Sequence, residues 1–253
     1  MPELAEAEEF WRTLYPFLFS DESFRIAATE VDRMLELIDF KGGDILDLAC
    51  GAGRHSLVLA KKGYRVTAVD WSPYLLEKAN EKAKADNVEV EFVHGDMRQF
   101  NRPEAYDLVL SMCTSFGYFD DKEDDLRTLG NIHRSLKPGG TLVMDLVTKE
   151  LMARDYTPIV SGWGPMGSFG TNAGEALIEM HDIYDGWSRI RNQWLLVKGD
   201  HVRKFEFAHR IYSGQELKDR LEQVGFRNVK LSGDFRGNDY GIKAKRLVVV
   251  ASK

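Results

Sequence analysis

Cysteine is scarce in this chain: Cys50 and Cys113 are the two among 253 residues. Both lie in apolar stretches and read as small buried hydrophobes of a reducing compartment rather than as metal ligands or a disulfide. Runs of one charge are also missing. Lys and Arg number 34 against 40 Asp and Glu, a formal net charge of −6, with no basic run to track a phosphate backbone. That argues against a nucleic-acid partner. No apolar run approaches the roughly 18 residues of a membrane span, and the N-terminus opens acidic and amphipathic, so no membrane partner and no signal peptide are expected. The reading is a soluble cytoplasmic protein. Internal repeats and low-complexity segments are absent too. What the chain has is 43% hydrophobic residues over a length that suits one substantial core with an elaboration.

The densest signal is Asp44-Ile-Leu-Asp-Leu-Ala-Cys-Gly-Ala-Gly-Arg-His-Ser56, followed by Val66-Thr67-Ala68-Val69-Asp70. An apolar run reaches a carboxylate, turns through Gly51 and Gly53, and opens into a helical pattern; a second apolar run then ends in another acid. This is strand, glycine turn, helix and strand, with the second acid set to reach a ribose. Glycine tolerates positive φ and lets the backbone lie against a ligand. A dinucleotide fold would want a third small residue where Ser56 stands, and no negative charge before the turn, because a diphosphate must sit on the helix N-terminus. Asp47 precedes the turn. A carboxylate there suits an ammonium or sulfonium ligand and repels a diphosphate, which favours S-adenosylmethionine over NAD.

These residues resemble a known family. Asp47-Leu-Ala-Cys-Gly-Ala-Gly53 is similar to the first motif of class I S-adenosylmethionine-dependent methyltransferases, and Val69-Asp70-Trp71-Ser72 to the second. His94-Gly-Asp-Met-Arg98 resembles the third, Tyr106-Asp-Leu-Val-Leu-Ser-Met112 the fourth strand, and Leu136-Lys-Pro-Gly-Gly-Thr-Leu-Val143 the turn and strand that follow. The Gly-Arg-His-Ser wording, Thr114-Ser-Phe-Gly-Tyr118 and Arg210-Ile-Tyr212 further resemble a broad bacterial group of small-molecule-type methyltransferases. The resemblance implies a Rossmann-like methyltransferase fold, strand order 3-2-1-4-5-7-6 with the last strand antiparallel. It also implies S-adenosylmethionine as donor, with S-adenosylhomocysteine as product.

The patterning along the chain fits an α/β, doubly wound, seven-stranded sheet with additions. Two amphipathic helices fill residues 1–40, the second capped by Ser20 or Asp21, and form an N-terminal helical cover. Strands at 44–49, 65–70, 88–93, 106–112 and 141–147 alternate with helical patterns at 54–62, 73–85 and 122–136. Residues 155–174, rich in Gly, Pro and Ser, read as a loop. Three alternating runs divided by Asp185-Gly186 and Gly199-Asp200 then form an antiparallel β meander. A helix from Ser213 and strands near 226–234 and 245–251 complete the sheet. The domains are thus the cover at 1–40, the cofactor-binding core at 41–150 and 213–253, and an inserted antiparallel lid at 151–212.

The cofactor set implied is Asp47, Ala49, Gly51, Gly53, Arg54, Asp70, Trp71, Asp96, Met97 and Ser111. Asp70 would accept from both ribose hydroxyls, Asp96 from the adenine amine with Met97 on the ring, and Trp71 would lie along the adenine or ribose. Asp47 and the Gly51 backbone would meet the methionine end, and Arg54 its carboxylate unless it makes a surface ion pair. His55 reads mainly as packed under the N-terminal helices. Displacement at a sulfonium chiefly needs alignment and exclusion of water, so no indispensable catalytic residue is expected. Tyr15, Phe116, Tyr118, Arg210 and Tyr212 are candidates to face the methyl group. His133, His181 and His209 read as structural, and their spacing suggests no metal site. Ser111-Met-Cys-Thr114 stands where amide or adenine-amino methyltransferases carry Asn-Pro-Pro-Tyr, which points to a small-molecule N or O acceptor. A protein or RNA acceptor, and a non-catalytic adenosyl-ligand protein, are the alternatives. The meander is alternatively the surface of a homodimer.

Overall fold

The computed structural model describes residues 4–161 and 175–253. Helices α1 (Leu4–Leu18) and α2 (Asp21–Leu37) lead into β1 (Asp44–Leu48), α3 (Arg54–Lys61), β2 (Arg65–Asp70), α4 (Pro73–Asp86), β3 (Glu91–His94) and β4 (Tyr106–Ser111). Then come α5 (Lys122–Ser135), β5 (Leu136–Leu146), α6 (Lys149–Asp155), β6 (Ile159–Ser161), β7 (Glu175–Tyr184), β8 (Arg189–Lys198) and β9 (His201–Arg210). The chain closes with α7 (Gly214–Gln223), β10 (Arg227–Ser232) and β11 (Leu247–Ser252).

Seven strands make the main sheet, in the order β10-β11-β5-β4-β1-β2-β3. β1 to β5 run parallel and β11 runs antiparallel to both its neighbours. This is the expected 3-2-1-4-5-7-6 order read from the other edge. The central strands are mostly apolar because helices cover both faces: Ile45, Leu108, Leu110, Val143 and Val248 are all fully buried. On one side Leu129 and Ile132 of α5 and Leu217 and Leu221 of α7 pack on Leu46, Val109 and Met144. On the other, Val31 and Met34 of α2 and Leu59 of α3 pack on Ile45, Leu108 and Val143. α2 is therefore a layer of the core. Of the forty N-terminal residues expected as a cover, only α1 stands outside the sandwich.

Local chemistry sets the helix starts. Ser20, Ser72, Thr148 and Ser213 each cap a helix through a side-chain oxygen, and Ser213 with Glu216 forms a full capping box. β5 begins at Leu136, earlier than its apolar run suggests. Gly139 takes φ +78°, and a Cβ on Gly140 would stand 2.9 Å from the Lys137 carbonyl, so the two glycines carry a bulge that pairs Leu136 with Tyr106.

The insert forms a second sheet, β6-β7-β8-β9, all antiparallel. It has four strands rather than the three expected, because Ile159–Ser161 pairs with Ile178–Met180. The stretch expected as a loop at 155–174 thus carries β6, after a short α6; its remainder, 162–174, lies outside the described residues. Leu177 and Leu196 on one face of this sheet pack against Leu14 and Phe17 of α1. Among the described residues no helix is long and apolar enough to cross a membrane.

Candidate active site

Strand order changes direction between β1 and β4, and the crevice beyond their carboxyl ends is where an open α/β sheet takes its ligand. Leaving β1, the chain passes Ala49, Gly51 and Gly53 at φ +64°, +56° and +78° before entering α3. The Cys50 N–H donates to the Val69 carbonyl at 3.0 Å, tying the turn to β2. Glycine is required at 51: a Cβ there would stand 3.1 Å from Cζ of Phe19.

Asp70 ends β2 beside this turn. Its Oδ2 accepts the Gly51 N–H at 2.7 Å and its Oδ1 the Ser72 N–H at 2.9 Å. Burial outweighs these bonds and pushes the carboxyl up to about 6. Each oxygen retains acceptor capacity. A desolvated strand-end carboxylate in that condition fits a pair of vicinal hydroxyls, as in the ribose of an adenosyl group.

Asp47 behaves differently from expectation. It is 1% exposed and accepts the Ser56 hydroxyl at 2.5 Å, with burial raising its pKa. It fixes the first turn of α3 to β1 and presents no open face to the methionine end of a ligand. Ser56, which the glycine pattern alone disfavours, is the residue that satisfies it. Arg54 finds no carboxylate partner among the described residues; it donates to Cys113 Sγ at 3.0 Å and lies over the Phe19 ring at 5.5 Å. Cys113, expected buried, is exposed just beyond β4. His55 is enclosed, 3.0 Å from Glu30 of α2, which also pairs with Arg246 at 2.8 Å; Arg246 in turn reaches Asp145 at 3.0 Å. Glu30, His55 and Cys113 offer ligand atoms within 4.8 Å of one another. Arg54 and Arg246 already bring two guanidinium groups to this cluster, which disfavours a further cation.

Asp96 is held by Arg98, whose Nη2 lies 2.5 Å and Nε 2.9 Å from Oδ2, and its side chain is 16% exposed. An adenine amine would share a carboxylate already in a fork. Met97 is half-buried, packs on the core and accepts the Asn131 amide at 3.0 Å through its carbonyl. Trp71 is half-buried with its carbonyl 3.0 Å from His94 Nε2, and Ser111 is buried at the end of β4.

α1 roofs the crevice. Glu8 accepts from the Ser72 hydroxyl and, at 3.2 Å, from the Tyr74 N–H, placing an anion at the N-terminus of α4. Tyr15 stacks on Phe19 with centroids 5.3 Å apart and meets Tyr74 edge-on at 5.8 Å. Opposite, Tyr118 stacks on His209 of the insert at 4.9 Å. Arg210 and Tyr212, expected to reach into the acceptor pocket, converge instead on Asp125, which is 1% exposed: Arg210 Nε lies 3.1 Å and the Tyr212 hydroxyl 2.6 Å from the same oxygen. They clamp the end of the insert to α5. Phe116 is core, packed against Tyr212 at 5.7 Å. The polar groups that do line the inward face of the insert, Glu179, His181, Asn192 and His209, carry no motif by which a sequence would single them out.

Residues 45–140 match a methyltransferase domain family. The chain is 38% identical over 213 residues to the cypemycin N-terminal methyltransferase of a Streptomyces species, covering 84% of each protein. It is 29% identical over 195 residues to the glycine/sarcosine N-methyltransferase of Aphanothece halophytica, covering 76% of this chain and 69% of that one. Its fold is similar to that of an S-adenosylmethionine-dependent methyltransferase from Clostridium acetobutylicum, with TM-score 0.77 and 17% identity over 96% of this chain and 97% of the other.

Proposed function

The chain belongs to the S-adenosylmethionine-dependent methyltransferases, and we propose that it methylates an amine nitrogen of a small molecule. The observation that supports this reading is the covering of the crevice: α1 packs on the inserted sheet, with Tyr15 stacked on Phe19 and Tyr118 on His209, an arrangement suited to a small acceptor. The names of the two relatives favour nitrogen over oxygen, since both act on amines.

When bound, S-adenosylmethionine supplies an electrophilic methyl carbon on a sulfonium. The protein's part is to hold and enclose. Asp70 accepts from the ribose hydroxyls, and the Gly51 and Gly53 backbone admits the ligand close to the turn. Asp96 offers its remaining lone pair to the adenine edge, with Met97 beside it. α1 and the insert exclude water while the acceptor nitrogen lines up with the methyl carbon, the term that counts most in an in-line displacement.

Incubation with methyl-labelled S-adenosylmethionine and a small-molecule extract, resolved by mass spectrometry, tests this. Label in low-molecular-weight amines is expected. Label confined to peptide N-termini would favour the second reading, a peptide acceptor, which the 38% identity to the cypemycin enzyme motivates. Label in hydroxyl compounds alone would overturn the nitrogen assignment.

A further inference from the structure

The inserted sheet carries a buried polar chain that neither the fold nor the cofactor site uses. Strand register puts Glu179 opposite Trp194, His181 opposite Asn192, and His209 opposite Ile190 on the face that packs towards α1. His181 Nδ1 lies 2.8 Å from Asn192 Oδ1, and Asn192 Nδ2 lies 3.4 Å from His209 Nδ1. One amide thus bridges the two imidazoles and fixes the orientation of both rings. His181 Nε2 faces Glu179 at 3.8 Å.

Asn192 and His209 are 5% and 8% exposed, and the side chains of Glu179 and His181 are 16% and 17% exposed. A solvated polar face would be open. Among the described residues Glu179 has no ion-pair partner but His181, and burial pushes its carboxyl up to about 7. Trp194 and Phe207 pack at 5.6 Å beside it, and Phe207 and His209 both stack on Tyr118 of the loop after β4. The result is a carboxylate beside an imidazole within an aromatic wall, the surroundings that hold an ammonium ion.

We propose that Glu179 seats the ammonium group of the acceptor and removes its proton, beside the His181 ring that Asn192 holds in orientation. This rests on the amine reading above. The ammonium N–H proton passes to Glu179 Oε. The freed lone pair then forms the C–N bond as the C–S bond breaks, and the bonding electrons stay on sulfur. Glu179 returns its proton to solvent as product leaves.

The test uses protein saturated with S-adenosylhomocysteine and two probes followed by fluorine NMR, 4-fluorobenzylammonium and its neutral analogue 4-fluorobenzyl alcohol. The ammonium is expected to bind the wild type in preference to the alcohol. Glu179→Gln should lose at least tenfold in ammonium affinity, Glu179→Asp should recover part of it, and S-adenosylhomocysteine binding should be unchanged in both. Equal ammonium affinity in Glu179→Gln and wild type would overturn the assignment while leaving the amine reading intact. An alcohol bound as tightly as the ammonium by wild type, or no ammonium bound, would overturn both.

Discussion

On the proposed reading, the cost of an ionised group and the affinity for a ligand meet in the carboxyl of Asp70. A rise from 3.8 to about 6 means the charged form is roughly 3 kcal/mol dearer in the folded protein than in the unfolded chain. The sign follows. A carboxyl whose folded pKa is raised contributes stability that is full below the unfolded value near 4 and is lost as pH climbs through about 6. At neutral pH the protein without ligand carries a charge compensated by the backbone N–H groups of Gly51, Trp71 and Ser72. Ligand hydroxyls that donate to this carboxylate must favour its charged form. Binding of S-adenosylhomocysteine should therefore be flat in pH above about 7 and weaken about tenfold per unit below about 6. Asp70→Asn should remove the slope and weaken binding at pH 8 by roughly 1.5–3 kcal/mol, the worth of hydrogen bonds to a charged acceptor. Calorimetric titration between pH 5 and 8 reads both. An identical slope in Asp70→Asn would hand the effect to another acid, Asp47 first. A flat wild-type profile would refute the reasoning outright.

Other outcomes are as open to measurement. Asp125→Ala strands Arg210, whose side chain is 13% exposed, and should destabilise by roughly 3–5 kcal/mol, a fall in melting temperature on the order of 10 °C by calorimetry. The affinity of the folded protein for S-adenosylhomocysteine should not change; a melting point equal to wild type would show that the clamp contributes nothing. Gly51→Ala forces a side chain into left-handed backbone and against the Phe19 ring at 3.1 Å, so affinity should drop on the order of tenfold, with part restored by Phe19→Ala in the same chain. Deleting residues 1–20 removes α1 and should abolish methyl transfer while the remaining protein still binds S-adenosylhomocysteine; full turnover by the truncated protein would refute the roof.

The core was legible because its strands are buried on both faces and so read as continuous apolar runs with acids and glycines at their ends. Gly51 and Gly53 shape the turn after β1 and Asp70 ends β2 beside it, positions that their spacing in the sequence prescribes. Asp47 differs because one spacing in sequence permits two partners, a ligand or Ser56, and only the helix direction decides between them. Arg210 and Tyr212 lead to Asp125, 85 and 87 positions away, a pairing that no local pattern encodes. α2 passed as a cover because an amphipathic stripe says that a helix packs, and not on what. β6 is three residues long, too short for periodicity to register. Glu179, His181 and Asn192 interrupt the apolar face that Leu177, Ile190 and Leu196 form, and alternation puts them on that face without saying what they meet there.

The insert leaves and rejoins the core at almost the same point. The Lys149 N–H donates to the Tyr212 carbonyl at 3.0 Å, so residue 149 and residue 212 are neighbours although roughly sixty residues separate them. A segment whose two ends already touch makes no demand on the path of the chain beyond it. Its length and contents are free to vary at the modest, logarithmic cost of a longer closed loop. The parallel sheet and its glycine turn then act as a socket. On the proposed reading, a donor chemistry held in the socket is re-aimed at a different acceptor by exchanging one contiguous cassette, with the Asp125 clamp and the Lys149–Tyr212 bond as its fittings.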